Sequence, residues 1–153
     1  MALNFADALD TKVEDIERPP LLPIGTYRWM VTKQPEIDTI ADGRFDVCDF
    51  SLKCLGPTDD VDSSELQAFG DLSNVHRRFR FLFNKEDEAS FKKTEFYLKQ
   101  FLVDHLGIPE KGTMKELLAN ALNQSCLGTV RWRPDKTNPE IMYDEISRTA
   151  PLS

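Results

Sequence analysis

Arginine and phenylalanine alternate through His76-Arg77-Arg78-Phe79-Arg80-Phe81-Leu82-Phe83, and this spacing is the strongest chemical clue in the 153-residue sequence. Successive side chains of an extended chain point to opposite faces, so Phe79, Phe81 and Phe83 share one face and His76, Arg78 and Arg80 the other. Leu127–Arg133 repeats the device, with Val130 and Trp132 on one side and Arg131 and Arg133 on the other. Arg28 and Lys53 match by parity on two earlier strands. Placed side by side, these positions form a basic sheet face of the kind that tracks a phosphate backbone, where guanidinium groups also stack on bases. Tyr27, Trp29 and Trp132 are candidate base-stacking aromatics. Parity sets Trp29 and Trp132 opposite the arginines, however, so at least one of them belongs to a core.

A solvated sheet face also alternates polar with apolar residues and needs no ligand. The sign of the charge favours the nucleic-acid reading, because the outward positions are basic while the acids lie elsewhere. Residues 1–18 hold five acids against two bases, residues 58–71 hold five acids and no base, and the rest of the chain is left at +1 out of a total of −7. With screening over roughly 8 Å at physiological salt, acidic segments at a distance do not cancel a local basic groove.

Catalytic arrangements are absent from the sequence: there is no GxSxG, Walker loop or HExxH, and no Cys/His or Ser/His/Asp grouping. Cys48, Cys54 and Cys126 lack CxxC spacing and His76 lies far from His105, which predicts buried thiols in a reducing compartment and no metal site. His105, on the apolar side of a helix near its end, reads as a packed histidine. No apolar run is long enough to span a membrane, and the amino terminus lacks a signal-peptide pattern. The expectation is a cytoplasmic binding protein without cofactor or enzymatic activity.

The elements that must position these residues follow from periodicity. Residues 1–21 read as an acidic, proline-broken arm with a short helix within residues 3–16, residues 22–148 as one domain, and residues 149–153 as a fraying tail. Strands are expected from Gly25 to Thr32, Phe45 to Leu55, His76 to Phe83, Leu127 to Arg133 and near Glu140 to Ile146, with a turn at Asp42-Gly43. Cys48, Phe50, Leu52 and Cys54 face one way. Residues 58–71 read as a long exposed loop. Asn84 is the expected cap of a helix carrying Phe91, Leu98, Phe101, Leu102 and His105 to Gly107, and Thr113 caps a shorter helix, Met114 to Leu122. An α+β, mostly β chain with five strands and a helical segment between the third and fourth has the element order of a five-stranded OB-like barrel. A sandwich or an open α+β sheet has the same element count.

Leu22-Pro23-Ile24-Gly25-Thr26-Tyr27 resembles the LPxGxY opening of a family of small phage-encoded proteins similar to single-stranded-DNA-binding proteins. Arg78 to Asn84 resembles the strand that runs into that family's helix, and Leu98 to Gly107 the helix with its leucine- and glycine-containing end. Leu117 through Leu127-Gly128-Thr129-Val130 is similar to the return strand, and Asn138 fits before the last one. The matching pieces fall in order over most of residues 22–146 and leave out the arm. Thr129 departs from a commonly basic position, and the acidic segment 58–71 is long. The resemblance implies an OB-like fold and sequence-tolerant binding of single-stranded DNA in phage-type replication or recombination. Arg28, Lys53, His76, Arg78, Arg80, Arg131 and Arg133 would meet phosphates, and Tyr27 or Trp29 bases. The alternative is a protein-interaction module, a replication adaptor or inhibitor of a host enzyme, that works through the acidic arm and loop. Replication or recombination proteins and further copies of the chain are the other expected partners.

Overall fold

A computed structural model describes residues 4–152, so the first three residues assigned to the arm and the last of the expected tail lie outside the description. Helix α1 (Phe5–Leu9) and a single 3-10 turn precede an extended connector, Glu17 to Pro23. Six strands follow in one antiparallel sheet: β1 (Gly25–Val31), β2 (Glu36–Ile40), β3 (Phe45–Pro57), β4 (His76–Asn84), β5 (Ser125–Pro134) and β6 (Met142–Ala150). Helix α2 (Ser63–Phe69) lies between β3 and β4, and α3 (Glu88–Gln100) and α4 (Met114–Ala119) between β4 and β5. The class is α+β with a dominant sheet.

β3 organises the sheet. Its second half pairs with β1 (Val31 opposite Leu52), and its first half pairs along the same edge with β2 (Ile40 opposite Phe45). Its other edge carries β4, with Phe50 opposite Phe79 and Lys53 opposite His76. β1 pairs on its far side with β5, and β5 with β6. The ladders shift register between Arg28 and Trp29 and between Thr129 and Val130, and such bulges increase local twist and bend the sheet. β4 and β6 are brought towards one another but share no hydrogen-bonded ladder, so the sheet is curled and not closed.

The core fills the concave side. Tyr27, Trp29 and Val31 from β1, Phe50 and Leu52 from β3 and Val130 from β5 are almost completely buried, together with Phe101 and Leu102. Those last two belong to a π-helical turn, Phe101–His105, that continues α3. The wider turn sets the Phe101 ring 4.9 Å from Phe50, 5.2 Å from Phe79 and 5.5 Å from Phe81 between centroids, in tilted and edge-on contacts that aromatic rings prefer. The Phe face of the β4 sequence is therefore the core face.

Several sequence expectations need correction. The expected five strands are six: β2 was invisible because Ile37 and its polar neighbours are exposed on both faces, which leaves no period-two signal. Residues 58–71 are not a long loop. Asp62 accepts hydrogen bonds from the Ser64 and Glu65 amides and caps α2, while Asp60 accepts from the Thr26 amide and hydroxyl, both at 2.7 Å. Asn84 makes a turn with the Glu86 amide, and Asp87 is the cap of α3. The tail is strand to Ala150, where Thr149 Oγ1 lies 2.7 Å from His105 Nδ1. Within the arm's proline-rich end, Arg18 donates to the Met142 carbonyl.

The LPIGTY segment shows how tightly sequence sets this geometry. The Leu22 amide donates to Asp144 on β6 and its carbonyl accepts from Trp132 Nε1 on β5, so one residue ties the connector to two strands. The Pro23 carbonyl takes the Tyr27 hydroxyl at 2.7 Å. Gly25 has φ +145°, and a Cβ there would lie 2.5 Å from Val61 Cγ2. Only glycine fits without strain. Gly128 plays the same part for Trp29: a Cβ would lie 2.8 Å from the indole, whose Nε1 donates to the Gly128 carbonyl at 3.1 Å.

Candidate nucleic-acid interface

Between the outer edges of β4 and β6 lies an open cleft of about 600 Å³. β4 contributes Arg77, Arg78 and Arg80, the end of β5 contributes Arg133, and β6 contributes Tyr143, Asp144 and Glu145. Four arginines border the cleft because β4 carries arginine on both parities and the bent sheet brings β5 and β6 around towards it.

Three of the four are held by carboxylates. Arg77 makes a bidentate pair with Asp144 across the gap, its Nη2 2.9 Å from Oδ2, with side-chain exposures of 27% and 9%. This pair is the polar bridge between the two strand edges. Arg80 makes a second bidentate pair, 2.7 and 2.9 Å, with Asp49 directly across the β3–β4 ladder, and that carboxylate holds the guanidinium firmly protonated. Arg133 Nε donates to Glu145 at 2.9 Å. Arg78 is exposed, faces Ser51 across the ladder and forms no ion pair among the described residues. The Tyr143 ring, half exposed, has the Arg133 guanidinium 5.7 Å from its centroid and that of Arg18 at 4.9 Å. These are cation–π distances.

The other expected site residues are distributed differently. Lys53 and His76 are ladder partners on the outward face of β3 and β4, beside Arg78. Arg131 is exposed opposite Glu145 but does not line the cleft, and Arg28 lies on the outward face of β1 with its guanidinium 3.5 Å from the Pro57 carbonyl. Tyr27 and Trp29 are not available to bases: both have no exposed surface and both polar atoms are satisfied inside the protein. Their strand is central in the sheet, and the face opposite the arginines is turned into the core. Trp132 is the reverse case. It continues the inward parity of Val130, yet β5 runs past the rim of the core there and leaves the indole 38% exposed.

Sequence reasoning passed over Arg77 and left the role of Tyr143 open. Arg77 shares the parity of Phe79 and Phe81, and Asp144 shares that of Ile146. An arginine and an aspartate both predicted to point inward were a readable sign that they meet, since buried charges need partners. No group of three or more His, Cys, Asp or Glu among the described residues is placed to hold a metal ion. No described helix is long and apolar enough to cross a membrane. No protein-family model matches the sequence, and no curated protein is significantly similar to it.

Proposed function

We propose that the chain binds single-stranded DNA in the β4–β6 cleft, without base specificity, in support of phage-type replication or recombination. The observation that carries this reading is the placement of Arg77, Arg78, Arg80 and Arg133 along one open cleft beside an accessible tyrosine. The strand pairings support an OB-type reading in which β1 and β2 together form the first strand, β3 and β4 the second and third, and β5 and β6 the fourth and fifth. In that arrangement ligands lie against strands two and three and the loop between four and five. Here those regions carry Lys53, His76, Arg78 and Arg80 on one side and Arg133 and Tyr143 at the base of the loop on the other.

Arg78 is the first contact for a phosphate, because it has no carboxylate to give up. Arg80 and Arg133 exchange carboxylate for phosphate with similar fork geometry, and a base stacks on Tyr143 once Arg18 moves aside. Three to four phosphate contacts on a single strand give a log–log salt slope of about −2 to −3, or about a 20- to 50-fold loss of affinity between 50 and 200 mM salt. The test is a titration with oligo-dT followed by tryptophan quenching, reporting on the exposed Trp132. Arg78→Ala with Arg80→Ala should abolish most binding while the circular dichroism spectrum is unchanged. A salt-independent affinity, or a double variant that binds like the parent, removes this function.

A further inference from the structure

The connector meets the edge of the β4–β6 cleft at Arg18. Its guanidinium lies 4.9 Å from the centre of the Tyr143 ring, and its Nη2 donates to the Met142 carbonyl at 3.2 Å. Arg77, Tyr143 and Asp144 line both the cleft and a hollow of about 180 Å³ whose other wall is Arg18 to Leu21, so the connector is part of the cleft's rim. Arg133 also approaches the Tyr143 ring, at 5.7 Å, but the two arginines are held differently. Arg133 is the ladder partner of Tyr143 and donates to Glu145, so a strand and a carboxylate fix it. Arg18 forms no ion pair among the described residues and donates to a neutral carbonyl. Of the two, Arg18 is the one that can leave the ring without moving a strand.

We propose that Arg18 is a built-in competitor of single-stranded DNA: its guanidinium occupies the Tyr143 surface on which a base stacks, and bound DNA displaces it together with the start of the connector. This rests on the reading of the cleft as a single-strand site and adds how that site is regulated. A guanidinium is planar and stacks on aromatic faces, so it and a nucleobase compete for one surface. The connector keeps the competitor at hand. Leu22, four residues on, is tied to Asp144 and Trp132, and Pro19-Pro20 restrict the path between. A tether this short gives an effective concentration of about millimolar order. Magnitude decides the outcome of the competition. An exposed cation–π contact and a neutral hydrogen bond are each weaker than the stacking of a base on an aromatic ring, so DNA wins and Arg18 lowers its affinity without closing the site. Charge alone argues the reverse, because one more cation beside a polyanion site should strengthen binding. The sign of the effect therefore separates a competitor from a phosphate contact.

Anisotropy of a dye-labelled oligo-dT, titrated with the full chain at several salt concentrations, tests this. Arg18→Ala should bind about 3- to 10-fold tighter than the parent, with the salt slope unchanged and the same circular dichroism spectrum. An arginine that met a phosphate would give the opposite result, weaker binding and a slope flatter by about 0.7. Tyr143→Ala should weaken binding, and adding Arg18→Ala to it should bring no gain, because the surface under competition is then gone. Arg18→Ala that binds oligo-dT no tighter than the parent overturns the inference and leaves the DNA reading standing. A gain of the same size in the Tyr143→Ala background also overturns it, since Arg18 would then act elsewhere than on the ring. If parent and Arg18→Ala both ignore oligo-dT, the DNA reading fails and the competitor falls with it.

Discussion

Replacing Asp144 by alanine should loosen the gap between β4 and β6 more than any other single exposed-rim change. Its carboxylate is 9% exposed and accepts three hydrogen bonds, two from Arg77 and one from the Leu22 amide at 2.8 Å. A hydrogen bond to a charged group contributes about 1.5–3 kcal/mol and an orphaned buried donor costs about 1–3 kcal/mol. Arg77 retains 27% exposure, so its guanidinium recovers part of the loss by rehydrating. The net cost comes to about 3 kcal/mol, and for a chain of this length that lowers Tm by about 6–12 °C. Arg77→Met should cost less, about 2 kcal/mol, because Asp144 keeps the Leu22 amide. Urea unfolding followed by tryptophan fluorescence measures both variants, and the double variant closes a thermodynamic cycle with an expected coupling of about 1–2 kcal/mol. If Asp144→Ala costs under about 0.5 kcal/mol, or the two changes simply add, then this pair does not hold the edges together. The same variant should weaken oligo-dT binding, since Arg78 and Arg133 would no longer be fixed across one cleft.

Gly25→Ala places a methyl group 2.5 Å from Val61 at a φ of +145°, and a loss of about 3 kcal/mol is expected in the same urea assay. Asp60 is held below the usual carboxylate range, first by the Thr26 amide and then by its hydroxyl. The stability this provides is present above the unfolded value of about 3.9 and disappears as pH falls through the lower folded value. Asp60→Asn should therefore lower Tm near neutral pH, with the gap to the parent closing below about pH 4; a gap independent of pH contradicts that account. Burial pushes the Cys126 thiol up to about 12 and the Cys48 thiol up to about 11. A thiol reagent near pH 8 should label them only as fast as the protein opens, and rapid labelling of the folded chain would show that they are not sealed.

What the sequence disclosed was face, and what it concealed was depth along a strand. Period two set Cys48, Phe50, Leu52 and Cys54 inward on β3 and separated the phenylalanines of β4 from Arg78 and Arg80, because alternation is a local property of an extended chain. Trp132 and Tyr27 show the limit. Both take the inward parity, but Tyr27 sits mid-sheet within the core while Trp132 lies beyond the core's rim, and only the tertiary path of β5 decides that. β2 escaped notice because it is held by its ladder to β3 and not by a buried face. The cleft itself was half legible. Arg78, Arg80 and Arg133 could be read from alternation and Asp144 matched to Arg77 by parity, but that Asp49 meets Arg80 and Glu145 meets Arg133 depends on which strands pair and in what register, which the sequence does not advertise. Those pairings bring acids into the very surface whose basic bias first suggested a polyanion.

The central place of β1 has a consequence for how the chain is made. β1 is among the first strands synthesised, yet one of its edges waits for β5, whose partner positions (Gly25 with Val130, Met30 with Ser125) lie roughly a hundred residues later. A growing chain can zip β1, β2 and β4 onto β3 well before then, leaving an open backbone edge on β1 beside Trp29. The sheet can be completed only once residues 125–134 are available, so a chain whose β1 is still unpaired on that side is the species expected to be most exposed to mispairing with neighbouring chains. The kink between Arg28 and Trp29 twists that waiting edge and denies a second nascent chain a flat template to extend.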